Sequence, residues 1–154
     1  MHKPFYIYCV HAMSGLKWDE VETYYTNTKK DLDALGFYTM HPMCAKSELK
    51  GNKFNPKAGE SSSPIVSAHG ITRRDHWMVK KADIVFADLS RCKNKSIGSV
   101  SEIAVAYTHG KHTIVVMEKG NVHEHAFMKE QADIIFEKYE EALDYLAKLI
   151  QGRY

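Results

Sequence analysis

The sequence is poor in the features that mark several specialised classes. Its three cysteines, Cys9, Cys44 and Cys92, are odd in number and widely spaced. That pattern indicates neither a disulfide framework nor a CxxC metal or redox pair, and a reducing, cytoplasmic setting is expected. The apolar stretch in "MHKPFYIYCVHAM" is too short for a membrane span and lacks the long h-region and small-residue cleavage site of a signal peptide. Charge of one sign is scarce: 21 Lys+Arg against 19 Asp+Glu give +2. That is too little to imply a nucleic-acid or membrane surface, so small molecules are the expected partners. There is no GxGxxG after the first strand and no GxxxxGK[ST], so the usual dinucleotide and P-loop readings lack their motif. "HAMSG" likewise lacks the Ser/Thr-rich phosphate loop of an FMN carrier. Internal repeats and low-complexity tracts are absent.

What is present is an alternation. Short apolar runs at 4–10, 82–90, 111–118 and 132–137, with "FYTMHP" after Gly36, read as strands. Between them lie helical patterns: "LKWDEVETYYTNTKKDLDAL", "GITRRDHWMVKKA", "SVSEIAVAYTHG" with Gly110 at its C-terminal end, and "YEEALDYLAKLI". Strands that are apolar throughout and alternate with helices imply parallel pairing with both faces covered. The expected fold is therefore a single α/β domain over 1–154, with a flavodoxin-like, doubly wound, five-stranded parallel sheet. The segment at about 44–70 has little periodicity and is too long for a connector, so it is expected to be a loop or lid insert.

In such a sheet ligands sit beyond the carboxyl ends of the strands. The loops in question are "HAMSG", with His11, Ser14 and Gly15, the 44–70 insert, "SRCKNKSIG" and "KGNVHEHAF". In "KSIGSVSEIAVAY" Glu102 has two readings. Ser99 and Glu102 have the spacing of a capping box, and a first-turn carboxylate at the end of a strand also suits catalysis. For Asp75 the alternatives are a surface ion pair with Arg73, Arg74 or a lysine, or a second catalytic carboxylate. Paired carboxylates with separate roles are what cleavage of a glycosidic bond requires. Ser96, Ser99 and the free N–H groups of the helix after Gly98, helped by Lys93 and Lys95, suit an anion. His123 and His125, with His11, His41 and Cys9, form no convincing ligand set, and no metal is expected. A polar contact from His123 or His125 to an anionic or hydroxylated ligand is the favoured role.

The stretches "FYIYCVHAMSG", "RRDHWMVKKADIVFADLS", "SIGSVSEIAVAYTHGKHTIVVME" and "EKYEEALDYLAKL" resemble the nucleoside 2-deoxyribosyltransferases and their relatives, the 2'-deoxynucleoside 5'-phosphate N-hydrolases. The resemblance implies a homodimer or higher homo-oligomer with shared sites, a deoxynucleotide or deoxynucleoside substrate and no cofactor. It implies Glu102 as the nucleophile at the anomeric carbon, Asp75 handling the proton at the base, and Tyr8, or else Tyr6, positioning the nucleophile. Typical transferases carry an aspartate six residues before the nucleophile, where this chain has Ser96. The N-hydrolase branch has a serine there that contacts the 5'-phosphate, which favours a nucleotide substrate and water as acceptor. The segment "NVHEHAF", with His123 and His125, is the candidate for the part lent to an adjacent subunit's site. Base exchange by a transferase, a non-catalytic nucleotide-binding module and cleavage of NAD at its nicotinamide ribose stay open as alternatives.

Overall fold

The computed structural model describes residues 5–50 and 63–152. In chain order the elements are β1 (Tyr6–His11), α1 (Trp18–Ala34), β2 (Tyr38–Met40), a 3-10 turn (Ser47–Leu49), α2 (Ala68–Lys81), β3 (Ile84–Asp88), α3 (Ile97–Thr108), β4 (His112–Val116), α4 (Ala126–Gln131), β5 (Ile134–Phe136) and α5 (Tyr139–Gln151). The strands form one sheet in the order β2-β1-β3-β4-β5, and each neighbouring pair is parallel. This is the expected flavodoxin-like order, and the direction of winding reverses between β1 and β3. No described helix is long and apolar enough to cross a membrane.

Strand periodicity divides the core into two layers, because successive side chains point to opposite faces. Ile7, Cys9, Ile84, Phe86, Ile114 and Val116 pack with Val21, Tyr25 and Leu32 of α1 and Ala142 and Leu146 of α5. Tyr8, Val10, Val85, Ala87 and Val115 point the other way, onto Met78 and Val79 of α2 and Ile103 and Ala106 of α3. The face that α2 and α3 cover is therefore the face onto which Tyr8 projects.

The helix ends show where local chemistry sets the boundaries. α1 stops at Gly36, whose φ of +95° is left-handed; the Phe37 N–H reaches back to the Leu32 carbonyl at 3.2 Å and the Gly36 N–H to that of Asp33 at 2.9 Å. This double return closes the helix and favours glycine. Gly36→Ala is expected to lower stability by about 1–2 kcal/mol, since a Cβ is strained in that conformation; denaturant unfolding checks it. α3 closes in the same way at Gly110, with φ +62° and a 3.0 Å bond from Lys111 N–H to the Ala106 carbonyl.

Three expectations change. α3 begins two residues before Ser99, at Ile97. A short helix, α4, occupies 126–131 and takes the end of the segment read as a loop. Of the insert at 44–70, residues 51–62 lie outside the described residues; the rest carries the 3-10 turn and the start of α2.

Candidate functional site

A cavity of about 600 Å³ opens at the carboxyl end of β1, between α2 and the start of α3. It is lined by His11 at the end of β1, Met13 and Ser14 after it, Lys46 after β2, Ile71, Thr72, Asp75 and His76 on α2, and Lys95 to Ser99, Ser101 and Glu102 from the α3 side. The sheet's switch point supplies the space, and the helices supply the chemistry.

The Tyr8 hydroxyl donates to Glu102 Oε1 at 2.8 Å, and both side chains are buried. Tyr6 has the same strand parity two residues nearer the sheet's other end. Its ring packs against Tyr38 and under Lys81. Of the two tyrosines considered for positioning Glu102, the structure therefore brings Tyr8 to it.

The capping box is corrected. The N-cap of α3 is Ser96, with extended backbone (φ −103°, ψ 105°), and its Oγ accepts from the Ser99 N–H at 3.3 Å and the Ser99 hydroxyl at 2.9 Å. Glu102 then falls in the second turn, beyond reach of the cap. Nor is Glu102 the expected first-turn carboxylate, whose charge the helix N-terminus would favour: burial pushes its carboxyl up to about 8, the neighbouring Asp75 charge adds to the rise, and the Tyr8 hydrogen bond and Lys46 oppose it.

Asp75 makes no surface pair. It is buried, and its Oδ2 accepts from Lys46 Nζ at 3.0 Å. Burial raises its pKa, against the pull of Lys46, Arg74 and His76. Lys46 is 2% exposed. Nothing in the sequence distinguishes this lysine from the others in an aperiodic loop, where lysine is normally solvated.

Behind the wall, Asp88 at the end of β3 accepts from Tyr24 (2.8 Å) and from the Ser90 hydroxyl (2.6 Å). The Asp88 carbonyl accepts from His11 Nδ1 at 2.9 Å, which places the His11 proton on Nδ1. The His11 ring stacks on Tyr24 with centroids 3.6 Å apart. Burial lowers the pKa of His11, so a neutral ring faces the cavity.

Of the other sequence candidates, Ser14, Ser96, Gly98 and Ser99 line the cavity and Gly15 does not. His123 is buried outside it; its Nε2 accepts from the Ser96 N–H at 2.8 Å, and its Nδ1 faces Asn121 Oδ1 at 3.1 Å. His125 is exposed and caps α4 through the Phe127 N–H. Within this chain both histidines therefore act on backbone, away from the cavity. Among the described residues no three His, Cys, Asp or Glu side chains are grouped as metal ligands.

The family model described as nucleoside 2-deoxyribosyltransferase matches residues 2–144. The fold is similar to a 2-deoxyribosyltransferase from Leishmania mexicana (TM-score 0.65, 18% identity, 94% of this chain and 98% of that one). It is similar also to a 2-deoxyribosyltransferase from Bacillus psychrosaccharolyticus (0.62, 16%, 91% of each chain). A CMP N-glycosidase from Clostridium botulinum aligns at 0.58 and 15%, over 94% of this chain and 98% of that one. No curated protein sequence matches.

Proposed function

The chain belongs to the nucleoside 2-deoxyribosyltransferase family, and on that premise we propose that it hydrolyses the N-glycosidic bond of a 2'-deoxynucleoside 5'-monophosphate. The observation that carries this reading is the buried Tyr8–Glu102 hydrogen bond of 2.8 Å on a cavity wall shared with Asp75. In the proposed sequence the Glu102 carboxylate forms a bond to C1' as the C1'–N bond breaks, and Asp75 gives its proton to the departing base. Water then attacks C1' of the glycosyl ester while the Asp75 carboxylate takes one of its protons; the C1'–ester bond breaks, returning the Glu102 carboxylate, re-protonating Asp75 and releasing the deoxyribose 5-phosphate. Tyr8 holds one carboxylate oxygen so that the other is presented to the sugar.

The phosphate is assigned to the α3 side. Ser96 Oγ accepts two bonds from Ser99 and keeps its own O–H to donate, with Lys95 and the first N–H groups of α3 beside it. Ile97, 85% exposed, lines this end of the cavity, and Val100, one turn on in α3, is also exposed. They are apolar surface of the kind that a second copy covers in a homo-oligomer with shared sites.

The test is release of free base from dCMP, dGMP, dUMP and dTMP, compared with the matching nucleosides in the presence of a second free base. Base release that depends on the phosphate supports the hydrolase; exchange of bases without phosphate dependence supports the transferase, which the family's description and two of the fold neighbours favour. Ser96→Asp keeps an N-cap residue but sets a carboxylate against the phosphate. It is expected to lower kcat/KM for nucleotides by about 10²-fold with little change for nucleosides; equal losses on both would remove Ser96 from the phosphate site.

A further inference from the structure

The turn that ends in Lys46 is built against ordinary preferences. Ala45 holds a left-handed φ of 58°, a conformation that a non-glycine residue occupies at a cost. The Cys44 N–H reaches the His41 carbonyl at 3.3 Å, the Lys46 N–H that of Met43 at 3.2 Å, and the Leu49 N–H that of Lys46 at 2.9 Å. The outcome of this over-determined backbone is a lysine turned inward until it is 2% exposed, with its ammonium on the cavity wall. A long cation is rarely fully buried unless paired, and the partner here is one oxygen of Asp75.

The two oxygens of Asp75 are unequal. Oδ2 takes the Lys46 proton donor at 3.0 Å. Oδ1 is buried and has no hydrogen bond among the described residues; Arg74 Nε, at 3.8 Å, lies beyond hydrogen-bond length. A carboxyl oxygen already facing an N–H donor at that distance has no room for a proton directed at the same donor.

We propose that Lys46 is a positioning residue for the proposed hydrolysis: by occupying Oδ2 it confines the Asp75 proton to Oδ1, the oxygen that no donor among the described residues holds. The proposal rests on the reading of Asp75 as the proton donor to the base. Lys46 acts through Asp75 and is assigned no contact with substrate. Its positive charge also sets the pH range over which Asp75 keeps the proton. The groups facing Asp75 are Lys46 from the loop after β2, Arg74 and His76 on α2, Glu102 on α3, Tyr8 on β1 and Tyr25 on α1. Lys46 opposes the rise of both Asp75 and Glu102, so its removal moves both titrations to higher pH.

The experiment compares the full-length wild type with Lys46→Met, Lys46→Gln and Lys46→Arg, each checked for native circular dichroism. Two readouts are taken: the pH profile of kcat/KM for base release, and the titration of the Asp75 carboxyl carbon by NMR. Lys46→Met is expected to move both limbs of the profile and the Asp75 titration upward by about one to three pH units. At neutral pH its kcat/KM falls about 10-fold, a loss at the mild end of general-acid effects. Lys46→Arg restores the wild-type profile. Lys46→Gln, which keeps a neutral donor to Oδ2, shifts the titration while losing less rate than Lys46→Met. It also serves as the charge-removing variant where Lys46→Met does not fold. In an Asp75→Asn background Lys46→Met still moves the acid limb upward through Glu102, but on the plateau above that limb it loses nothing further in kcat/KM.

An unchanged Asp75 titration in the charge-removing variants overturns the proposal, as does a further loss on the plateau above the Glu102 limb in the Asp75→Asn background, which would place Lys46 on the substrate itself. If the wild type releases no base from any nucleotide or nucleoside, the hydrolysis reading fails separately. The NMR titration then still decides whether Lys46 governs the Asp75 proton.

Discussion

Glu102→Gln is expected to reduce base release by at least about 10⁴-fold, because an amide oxygen cannot form the ester to C1' and loss of a covalent nucleophile is among the largest single-residue effects. The same change is expected to stabilise the fold. Burial pushes the pKa of Glu102 in the folded protein up to about 8, from about 4.5 for a solvated glutamate. Between those limits the unfolded chain has already ionised while the folded one holds its proton, so the unfolded state binds fewer protons and stability falls as pH rises. The contribution of the protonated carboxyl is fully present below the unfolded pKa and is lost as pH climbs through the folded one. Glutamine removes that dependence and still accepts from Tyr8 through its carbonyl oxygen. Melting temperature for the variant should therefore exceed wild type, by a margin that grows from pH 5 to pH 8 and then levels off. A variant that is inactive and less stable across this range would point to a structural role instead. One that remains active would end the nucleophile assignment.

Why the sequence supported one half of this result and missed the other is visible at α3. "KSIGSVSE" offers Ser96, Ser99 and Ser101 as caps, and local preference does not choose among them. The choice is made from 27 residues away: His123 Nε2 accepts the Ser96 N–H at 2.8 Å, fixing Ser96 in extended backbone and starting the helix there. A one-turn capping motif carries no information about that contact. The strands were legible for the opposite reason. Their apolar runs are long-range burial written locally, so β1, β3 and β4 follow from composition, and the parity of Tyr8 follows from β1. Lys46 was illegible because its burial comes from a left-handed Ala45 and a partner on α2, and a surface lysine would have the same neighbours in sequence. Asp75 was found as a candidate, and its partners, Arg74 at 3.8 Å and a lysine at 3.0 Å, are of the expected kinds; what local sequence does not carry is that the pairing is buried.

Asp75→Asn tests how the two carboxyls divide the work. Both have pKa values raised by burial, and the charge on Asp75 is a further cause of the rise at Glu102. Two buried carboxyls next to one ammonium favour sharing a single proton, so they titrate as a pair. The productive form has the proton on Asp75 and the charge on Glu102, which gives a bell-shaped profile: the acid limb is protonation of the pair and the alkaline limb is loss of its last proton. Asparagine cannot deliver a proton to the departing base, and kcat/KM is expected to fall by about 10²–10⁴-fold. The shape should change as well. With no carboxyl proton left to lose, the alkaline limb disappears, while the acid limb, which is ionisation of Glu102 beside a neutral neighbour in both proteins, stays nearly in place. A base that departs as a stable anion needs the proton less, so the loss should shrink for a nucleotide with an electron-withdrawing substituent on its base, measured beside the unsubstituted one. An alkaline limb that survives in Asp75→Asn would assign the acid to another group on the same wall, with His76 the first to substitute.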